Sequence, residues 1–159
     1  MERLWTPWRM LYIANDKSEG CIFCSALAQN NDRETLILCR GRHVFVMLNK
    51  YPYNNGHLLV VPYAHTGDLS ALDADTLGEL MTLVARAIEW LKLASGPEGF
   101  NAGLNLGKAG GAGVTAHLHF HIVPRWSGDT NFLTVTGETR VLPEWLDDTW
   151  SRLRAVISP

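Results

Sequence analysis

The stretch His117-Leu-His119-Phe-His121-Ile-Val123 carries a histidine at every second position. Side chains alternate between the two faces of a β-strand, so this spacing places His117, His119 and His121 on one face, about 7 Å apart. The apolar residues between them occupy the opposite face and are expected to contact the core. We therefore predict a strand over 116–123 that presents a row of imidazoles.

This row of imidazoles favours phosphate chemistry. A neutral imidazole is a nucleophile near neutral pH, and neighbouring imidazoles can donate protons. We therefore predict that the row binds a phosphate group and that His119, the central histidine, attacks it. The alternatives are solvated or structural histidines and a metal site built from all three. Alternate residues on one strand spread wider than a metal–nitrogen shell of about 2 Å accepts, but one of them can ligate a metal together with residues from elsewhere.

A glycine-rich loop, residues 107–113, directly precedes the histidine stretch and contains four glycines in seven residues. Glycine lets backbone N–H groups approach and cradle an anion, so we predict a phosphate loop; a plain turn is the alternative. Lys108 is not the lysine of a P-loop. That motif requires glycine at 102 and serine or threonine at 109, and both positions are alanine.

The remaining sequence predicts an α+β fold with an antiparallel sheet. Two β-rich segments joined by turn residues predict a hairpin, and an apolar period near 3.6 predicts a long helix capped by Asp73 or Asp75 and ending near Ser95. We read residues 1–20 as an N-terminal arm of a single domain over 1–159. The other predicted elements are the hairpin strands 43–48 and 57–61, a strand over 100–106 and a C-terminal helix over 143–157.

Composition excludes several classes of protein. The chain has 159 residues, 47% of them hydrophobic and 19% charged, with a formal net charge of -2. The charge argues against a nucleic-acid-coating surface, and we find no apolar stretch long enough to span a membrane and no apolar signal-peptide core near the start. Three cysteines do not form a disulfide framework, so we expect a cytoplasmic protein.

These residues together resemble the histidine triad (HIT) superfamily, whose signature alternates three histidines with apolar residues. The stretch from Asn49 to His57 is similar to the nucleotide-binding hairpin of that family, and 100–107 to its phosphate-contacting strand and loop. Residues 123–132 and 3–10 resemble the bacterial diadenosine tetraphosphate (Ap4A) phosphorylase-like branch. The resemblance covers essentially the whole chain.

The resemblance implies a HIT-like α+β fold, with an antiparallel sheet of about five strands, flanking helices and usually a homodimer. It implies that His119 carries a nucleotidyl group, with His121 and His57 positioning and protonating groups around the phosphate. AMP, ATP or a dinucleoside polyphosphate would be the bound nucleotide. The implied nucleotide-binding residues are Asn49 at the ribose and, with His121, Asn105, Gly107, Gly111 and Gly113 at the phosphates.

Two functional questions stay open at this stage. The dinucleoside polyphosphate hydrolases of the family have Gln four residues before the first triad histidine, where this chain has Gly113, and the phosphorylase-like branch often has Ser there. Water and inorganic phosphate are therefore both possible acceptors. A non-catalytic nucleotide sensor or interaction protein of the same fold is the rival hypothesis, although binding alone does not require a nucleophile.

A single Cys21-Ile-Phe-Cys24 motif fits half of a zinc site, two buried thiols or a redox pair. Some members of the resembled family bind structural zinc through such a motif, a histidine after the hairpin and the first triad histidine. Here those histidines are His65 and His117, so the resemblance implies zinc at Cys21, Cys24, His65 and His117, and no organic cofactor. His117 would then be a structural ligand. Cys39, which has no such pattern, is expected in the core.

Other side chains near these motifs have open roles. Arg125 and Asp129 follow the histidines and fit either an ion pair or a substrate contact. Tyr51 and Tyr53 in the hairpin turn fit base stacking or packing. Trp126 fits an anchor for the arm or a dimer contact.

Overall fold

The computed structural model describes residues 20–137 and 141–157. Apart from Gly20, the arm predicted over 1–20 lies outside the described residues, and a single domain over 1–159 stays a prediction. In chain order the described elements are α1 Ile22–Ala28, β1 Ile37–Arg40, β2 Val44–Leu48, β3 Leu58–Pro62, a 3-10 turn Leu69–Ala71, α2 Ala74–Ser95, β4 Gly99–Leu104, β5 Phe120–Arg125, α3 Phe132–Thr136 and α4 Leu146–Val156.

The strands form one five-stranded sheet in the order β1-β2-β3-β5-β4, with every neighbouring pair antiparallel. This confirms the α+β prediction with an antiparallel sheet of five strands. The predicted hairpin is also confirmed, since β2 and β3 pair from Val44 with Pro62 to Leu48 with Leu58. The hairpin turn thus lies at the end of the sheet that carries His57.

Helix α2 covers one face of the sheet. Asp73 is its N-cap, accepting a hydrogen bond from the backbone N–H of Thr76 at 2.7 Å, and Gly96 ends it in the left-handed conformation at φ 57°. Its apolar stripe packs against even-numbered strand residues such as Val46, Val60 and Ile122. Among the described residues, we find no helix with the length and apolar character needed to cross a membrane.

The opposite face of the sheet carries the odd-numbered residues and packs against helix α1. A smaller apolar cluster here includes Phe23 of α1 with Phe45 and Leu59 of the sheet. Leu59 is the cross-strand partner of His121. The strand alternation therefore places His121 on the α1 face, away from the long helix.

The predicted boundaries of the histidine strand were wrong. Strand β5 begins at Phe120, so His117 and His119 precede it. The backbone N–H of Leu118 donates instead to the carbonyl of Thr66 at 2.8 Å. Residues 117–119 thus bond to the loop after β3 and not to a neighbouring strand of the described sheet. The prediction failed because alternation in a sequence does not show whether a partner strand is present.

Two other boundaries also differ from prediction, and two elements were not expected. Strand β4 ends at Leu104, where its last partner is Phe120, the first residue of β5. Helix α4 begins at Leu146, three residues after the predicted start, and two acidic residues in its first turn favour a helix N-terminus there. Strand β1 and helix α1 were not predicted.

Candidate active site

Buried histidines form a connected row beside the N-terminal end of β5. The ring centroids of His57 and His121 are 5.1 Å apart and those of His121 and His119 are 4.9 Å apart. Phe23 continues the row, with its ring 5.1 Å from that of His119 and 5.3 Å from that of His117. Each of these four histidines is at most 9% exposed. The structure thus brings together the three histidines predicted to surround the phosphate.

The hydrogen bonds of His57 define its tautomer. The backbone N–H of Tyr53 donates to His57 Nδ1 at 3.0 Å, so that nitrogen keeps its lone pair. The proton of a neutral His57 is therefore on Nε2, which lies 2.9 Å from His121 Nδ1 and donates to it. The proton of a neutral His121 is in turn on Nε2, a buried atom with no hydrogen-bond partner in the described part of the chain.

His119 has the opposite tautomer. Its Nδ1 lies 2.9 Å from the backbone carbonyl of His117, which can only accept, so Nδ1 carries the proton. Nε2 of His119 consequently keeps a lone pair, as a nucleophile requires. A lone pair on His119 and a donor on His121 that has no partner among residues 20–137 and 141–157 thus belong to adjacent rings.

Burial keeps these rings neutral near pH 7. Burial, together with the neighbouring histidines, lowers the pKa of His57 to about 3 and that of His121 to about 4, from the ordinary 6.5. Burial also lowers the pKa of His119, although its hydrogen bond to the His117 carbonyl acts in the opposite direction. A neutral His119 is the nucleophilic form.

A second cluster lies behind the row and joins Cys21 and Cys24 to His65 and His117. One potential ligand atom from each residue lies within 4.8 Å of all the others. Cys21 Sγ is 3.2 Å from His117 Nδ1, and Cys24 Sγ is 3.4 Å from His65 Nδ1 and 3.7 Å from His117 Nδ1. Tetrahedral zinc would place sulfur and nitrogen ligands about 3.6 Å apart. The donor set therefore fits a tetrahedral metal ion.

The ring orientation of His117 supports the same conclusion. Its Nε2 donates to the carbonyl of Pro62 at 2.8 Å, which leaves the lone pair of Nδ1 pointing at the sulfurs. Metal-ligating histidines typically donate their second ring N–H to such an acceptor. Both thiols of the motif are free rather than joined in a disulfide.

Two of the predicted nucleotide-binding residues, Asn49 and Asn105, directly follow strands of the sheet. Asn49 follows β2, and its Nδ2 lies 3.3 Å from His57 Nδ1 while its Oδ1 accepts from the N–H of Tyr51. Asn105 follows Leu104, whose strand partner is Phe120, so the chain leaves β4 beside the residue after His119.

The glycine loop begins at Gly107, two residues after Asn105. Two of its glycines need their conformational freedom, because Gly107 has φ 68° and Gly111 has φ 87°. The N–H of Gly111 bonds to the carbonyl of Lys108 at 3.1 Å, which closes a turn.

The structure also answers two questions that the sequence left open. Arg125 and Asp129 form an ion pair, with Nε and Oδ2 2.6 Å apart. The ring of Tyr53 packs on His57 and His121, with centroids 4.7 and 5.7 Å away. The sequence analysis did not identify Phe23 as a residue of the site. Its position between Cys21 and Cys24 was the available signal that it lies close to the histidines.

Comparison with known proteins places this geometry in a family. A family profile described as "HIT domain" matches residues 30–128. The chain belongs to the HIT family. A protein of Mycobacterium tuberculosis strain H37Rv named "AP-4-A phosphorylase" is 43% identical over 157 residues, covering 94% of this chain and 80% of the relative. An "Adenosine 5'-monophosphoramidase" of Schizosaccharomyces pombe is 30% identical, covering 67% of this chain and 74% of that protein.

Solved HIT structures show the same fold. A Zn-bound histidine triad family protein from Mycobacterium smegmatis aligns with a TM-score of 0.69 at 27% identity, covering 86% of this chain and 91% of that one. A histidine triad nucleotide-binding protein from Sulfolobus tokodaii aligns with a TM-score of 0.67 at 30% identity, covering 85% and 90%.

Proposed function

We propose that this HIT protein cleaves dinucleoside polyphosphates such as Ap4A, or related AMP-containing nucleotides, through a nucleotidyl intermediate on His119. The observation that carries the proposal is the hydrogen bonding of two adjacent rings. His119 donates through Nδ1 and so keeps a lone pair on Nε2, and the buried Nε2 of His121 has no partner among the described residues. The relatives named Ap4A phosphorylase and adenosine 5'-monophosphoramidase support a nucleotide substrate. A nucleotide sensor would need neither a buried nucleophile nor this adjacent donor.

The reaction takes place in two displacements at the α-phosphorus. The lone pair of His119 Nε2 forms a bond to phosphorus while the bond to the leaving polyphosphate oxygen breaks, and the leaving group departs with that electron pair. His121 Nε2–H donates to a phosphate oxygen, which stabilises the charge that develops there. An oxygen of the acceptor then bonds to the same phosphorus while the bond to His119 Nε2 breaks and returns its electron pair to that nitrogen. Inorganic phosphate attacks through an anionic oxygen, whereas water releases a proton to the solvent.

The surrounding polar groups bind and orient the nucleotide in this proposal. Asn49 would hold the ribose hydroxyls, and Asn105 with the backbone of Gly107, Gly111 and Gly113 would hold phosphate oxygens. The exposure of residues 107–111 supports this assignment, because a glycine-rich backbone at the surface lets an anion approach closely. His57 donates its Nε2 proton to His121 Nδ1 and so keeps the proton of His121 on Nε2, facing the phosphate, without contacting the phosphate itself.

Phosphorolysis is the favoured reaction because the Mycobacterium tuberculosis relative that is 43% identical is named "AP-4-A phosphorylase". Incubation with Ap4A in the presence and absence of inorganic phosphate separates the two acceptors. Phosphorolysis gives ADP and ATP, whereas hydrolysis gives AMP and ATP. Phosphate-dependent ADP supports the phosphorylase assignment, and AMP formed equally with and without phosphate contradicts it.

Replacement of the nucleophile tests the enzyme proposal. His119→Ala should lower cleavage at least 1,000-fold, since no other described side chain supplies the covalent step. The matched control is His43→Ala, which removes a half-buried histidine immediately before β2, outside the row. Cleavage by His119→Ala at the parent rate would refute the proposal.

We also propose that Cys21, Cys24, His65 and His117 bind structural zinc. The metal would fix helix α1 and the segment before β5, and would supply no chemistry to the phosphate. Metal analysis of purified protein should give about one zinc per chain, and Cys24→Ser should lose it. Cys39→Ser is the control, because this partly buried thiol packs on the core instead. Absence of zinc from the parent protein would exclude the assignment.

A homodimer and a cytoplasmic location remain predictions of the sequence resemblance and of the cysteine chemistry. Metal-ligating thiols must be reduced, which agrees with a reducing compartment. Sedimentation equilibrium of the purified chain tests the dimer, and a monomer at micromolar concentration would contradict it.

A further inference from the structure

The turn between β2 and β3 is attached to the end of β5 by one side chain. Asn54 is 6% exposed, and its Nδ2 donates to the carbonyl of Pro124 at 3.0 Å and to Asp129 Oδ2 at 2.9 Å. Its Oδ1 accepts from the N–H of Asn55, which fixes the orientation of the amide. A buried side chain thus bridges the hairpin turn to the end of β5 and to the segment that follows it.

Asp129 is itself held rigidly on the other side of this bridge. Arg125 donates to both of its carboxylate oxygens, at 2.6 and 2.8 Å, and the N–H of Trp126 donates to Oδ2 at 3.3 Å. Charge-assisted bidentate contacts of this kind are strong and directional. The carboxylate therefore provides a fixed acceptor for Asn54.

The turn held in this way supplies the hydrogen bonds that decide the tautomer of His57. Tyr53, next to Asn54 in sequence, donates its backbone N–H to His57 Nδ1. Asn49 supplies a longer contact to the same atom at 3.3 Å, but its side chain is oriented by the N–H of Tyr51 in the same turn. Both donors depend on the conformation of the turn.

We propose that Asn54 and Asp129 are positioning residues that keep the Tyr53 N–H on His57 and thereby maintain the hydrogen-bond donor of His121. If the turn shifts, His57 can place its proton on Nδ1 and accept through Nε2. His121 then donates through Nδ1, and its Nε2 turns from a donor into a lone pair. A lone pair there repels the phosphate oxygen that the donor would stabilise.

The test compares substitutions on the two sides of the Arg125–Asp129 ion pair, because Asn54 bonds to Asp129 and Asn101 bonds to Arg125. Asn54→Ala removes the bridge. Asn101→Ala is the matched control, because Asn101 Oδ1 accepts from Arg125 Nη1 at 2.6 Å but makes no hydrogen bond to the turn within the described residues. Asp129→Asn is a milder second variant that keeps an acceptor for Asn54 and removes the ion pair, in case Asn54→Ala does not fold.

The first readout is the tautomer of each histidine, measured by NMR on protein labelled with 15N-histidine. The parent and Asn101→Ala should show His57 and His121 protonated on Nε2. Asn54→Ala should show a mixture of tautomers at both rings, and Asp129→Asn a smaller change. The inference is overturned if folded Asn54→Ala keeps the tautomers of the parent. If Asn54→Ala does not fold, the inference is overturned by parent-like tautomers in Asp129→Asn.

The second readout is kinetic and rests on the proposed nucleotide-cleaving function. Asn54→Ala should lower kcat about 10- to 100-fold with little change in KM, because the lost donor acts mainly in the transition state. An increase in KM alone would contradict this assignment. If the parent protein cleaves no nucleotide, the proposed function fails, whereas the tautomer measurement still decides the role of Asn54.

Discussion

Phe23 connects helix α1 to His119, the candidate nucleophile, and its replacement by alanine gives a quantitative prediction. The side chain is 2% exposed, lies between Cys21 and Cys24 in sequence, and packs its ring against those of His117 and His119. Phe23→Ala should therefore leave a cavity beneath both histidines rather than a gap on the surface.

The size of the effect follows from core substitutions of this type. Replacement of a buried phenylalanine by alanine costs about 3–5 kcal/mol, a large part of the roughly 5–15 kcal/mol that stabilises a typical domain. With a urea m-value of about 2 kcal/mol/M, the unfolding midpoint should fall by about 2 M at an unchanged m-value. The measurement is urea unfolding at pH 7 with the same excess of zinc for every variant.

Ile22→Ala is the matched control on the same helix, because Ile22 is 37% exposed. We expect it to cost less than about 1 kcal/mol, as exposed substitutions usually do. Equal losses in the two variants, or a loss below 1 kcal/mol for Phe23→Ala, would refute the conclusion that helix α1 supports the histidine row.

Two further predictions concern a close backbone contact and the buried histidines. A Cβ on Gly67 would lie 2.2 Å from the carbonyl oxygen of Thr115, so Gly67→Ala should lower both the thermal unfolding midpoint and the zinc affinity. Gly78 lies in helix α2 with open space around it, so Gly78→Ala should raise the midpoint slightly. A higher midpoint for Gly67→Ala than for Gly78→Ala would contradict the packing. Because the pKa values of folded His57 and His121 are about 3 and 4, below the unfolded 6.5, the unfolded chain binds more protons. The unfolding free energy should therefore be greatest above pH 6.5 and fall as the pH decreases towards 4, by at most about 1.4 kcal/mol per pH unit for each histidine. His57→Gln should flatten this slope in urea titrations, and an unchanged slope would show that His57 does not cause it.

Local sequence patterns predicted the elements whose determinants are local. The hairpin has turn residues between two β-rich segments, and helix α2 has a capping Asp73 and a terminating Gly96. Helix α1 lacks such signals, because it has seven residues and Cys21 makes no capping hydrogen bond. Strand β1 has only four residues. Leu36, directly before it, has φ 64°, and the pairing register shifts between Ile37 and Cys39, so alternation is lost there.

The candidate site was predictable only in part, for a similar reason. The alternating histidines point to His119 directly, whereas His57 and the two histidines of the metal cluster followed from resemblance to a family. The contacts of Phe23 and Asn54 depend on how distant segments meet, and no pattern near either residue encodes its partner. Tautomers likewise depend on those contacts and not on the spacing of the histidines.

The nucleotidyl intermediate on His119 is the central claim, and direct trapping tests it. Rapid acid-free quenching of the protein with Ap4A, followed by mass spectrometry of intact protein and its peptides, should show one added AMP group on the peptide that contains His119. The adduct should be acid-labile, as a phosphorus–nitrogen bond to histidine is, and absent from His119→Ala. Cleavage of Ap4A with no adduct at any quench time, or with an adduct on another residue, would contradict the account.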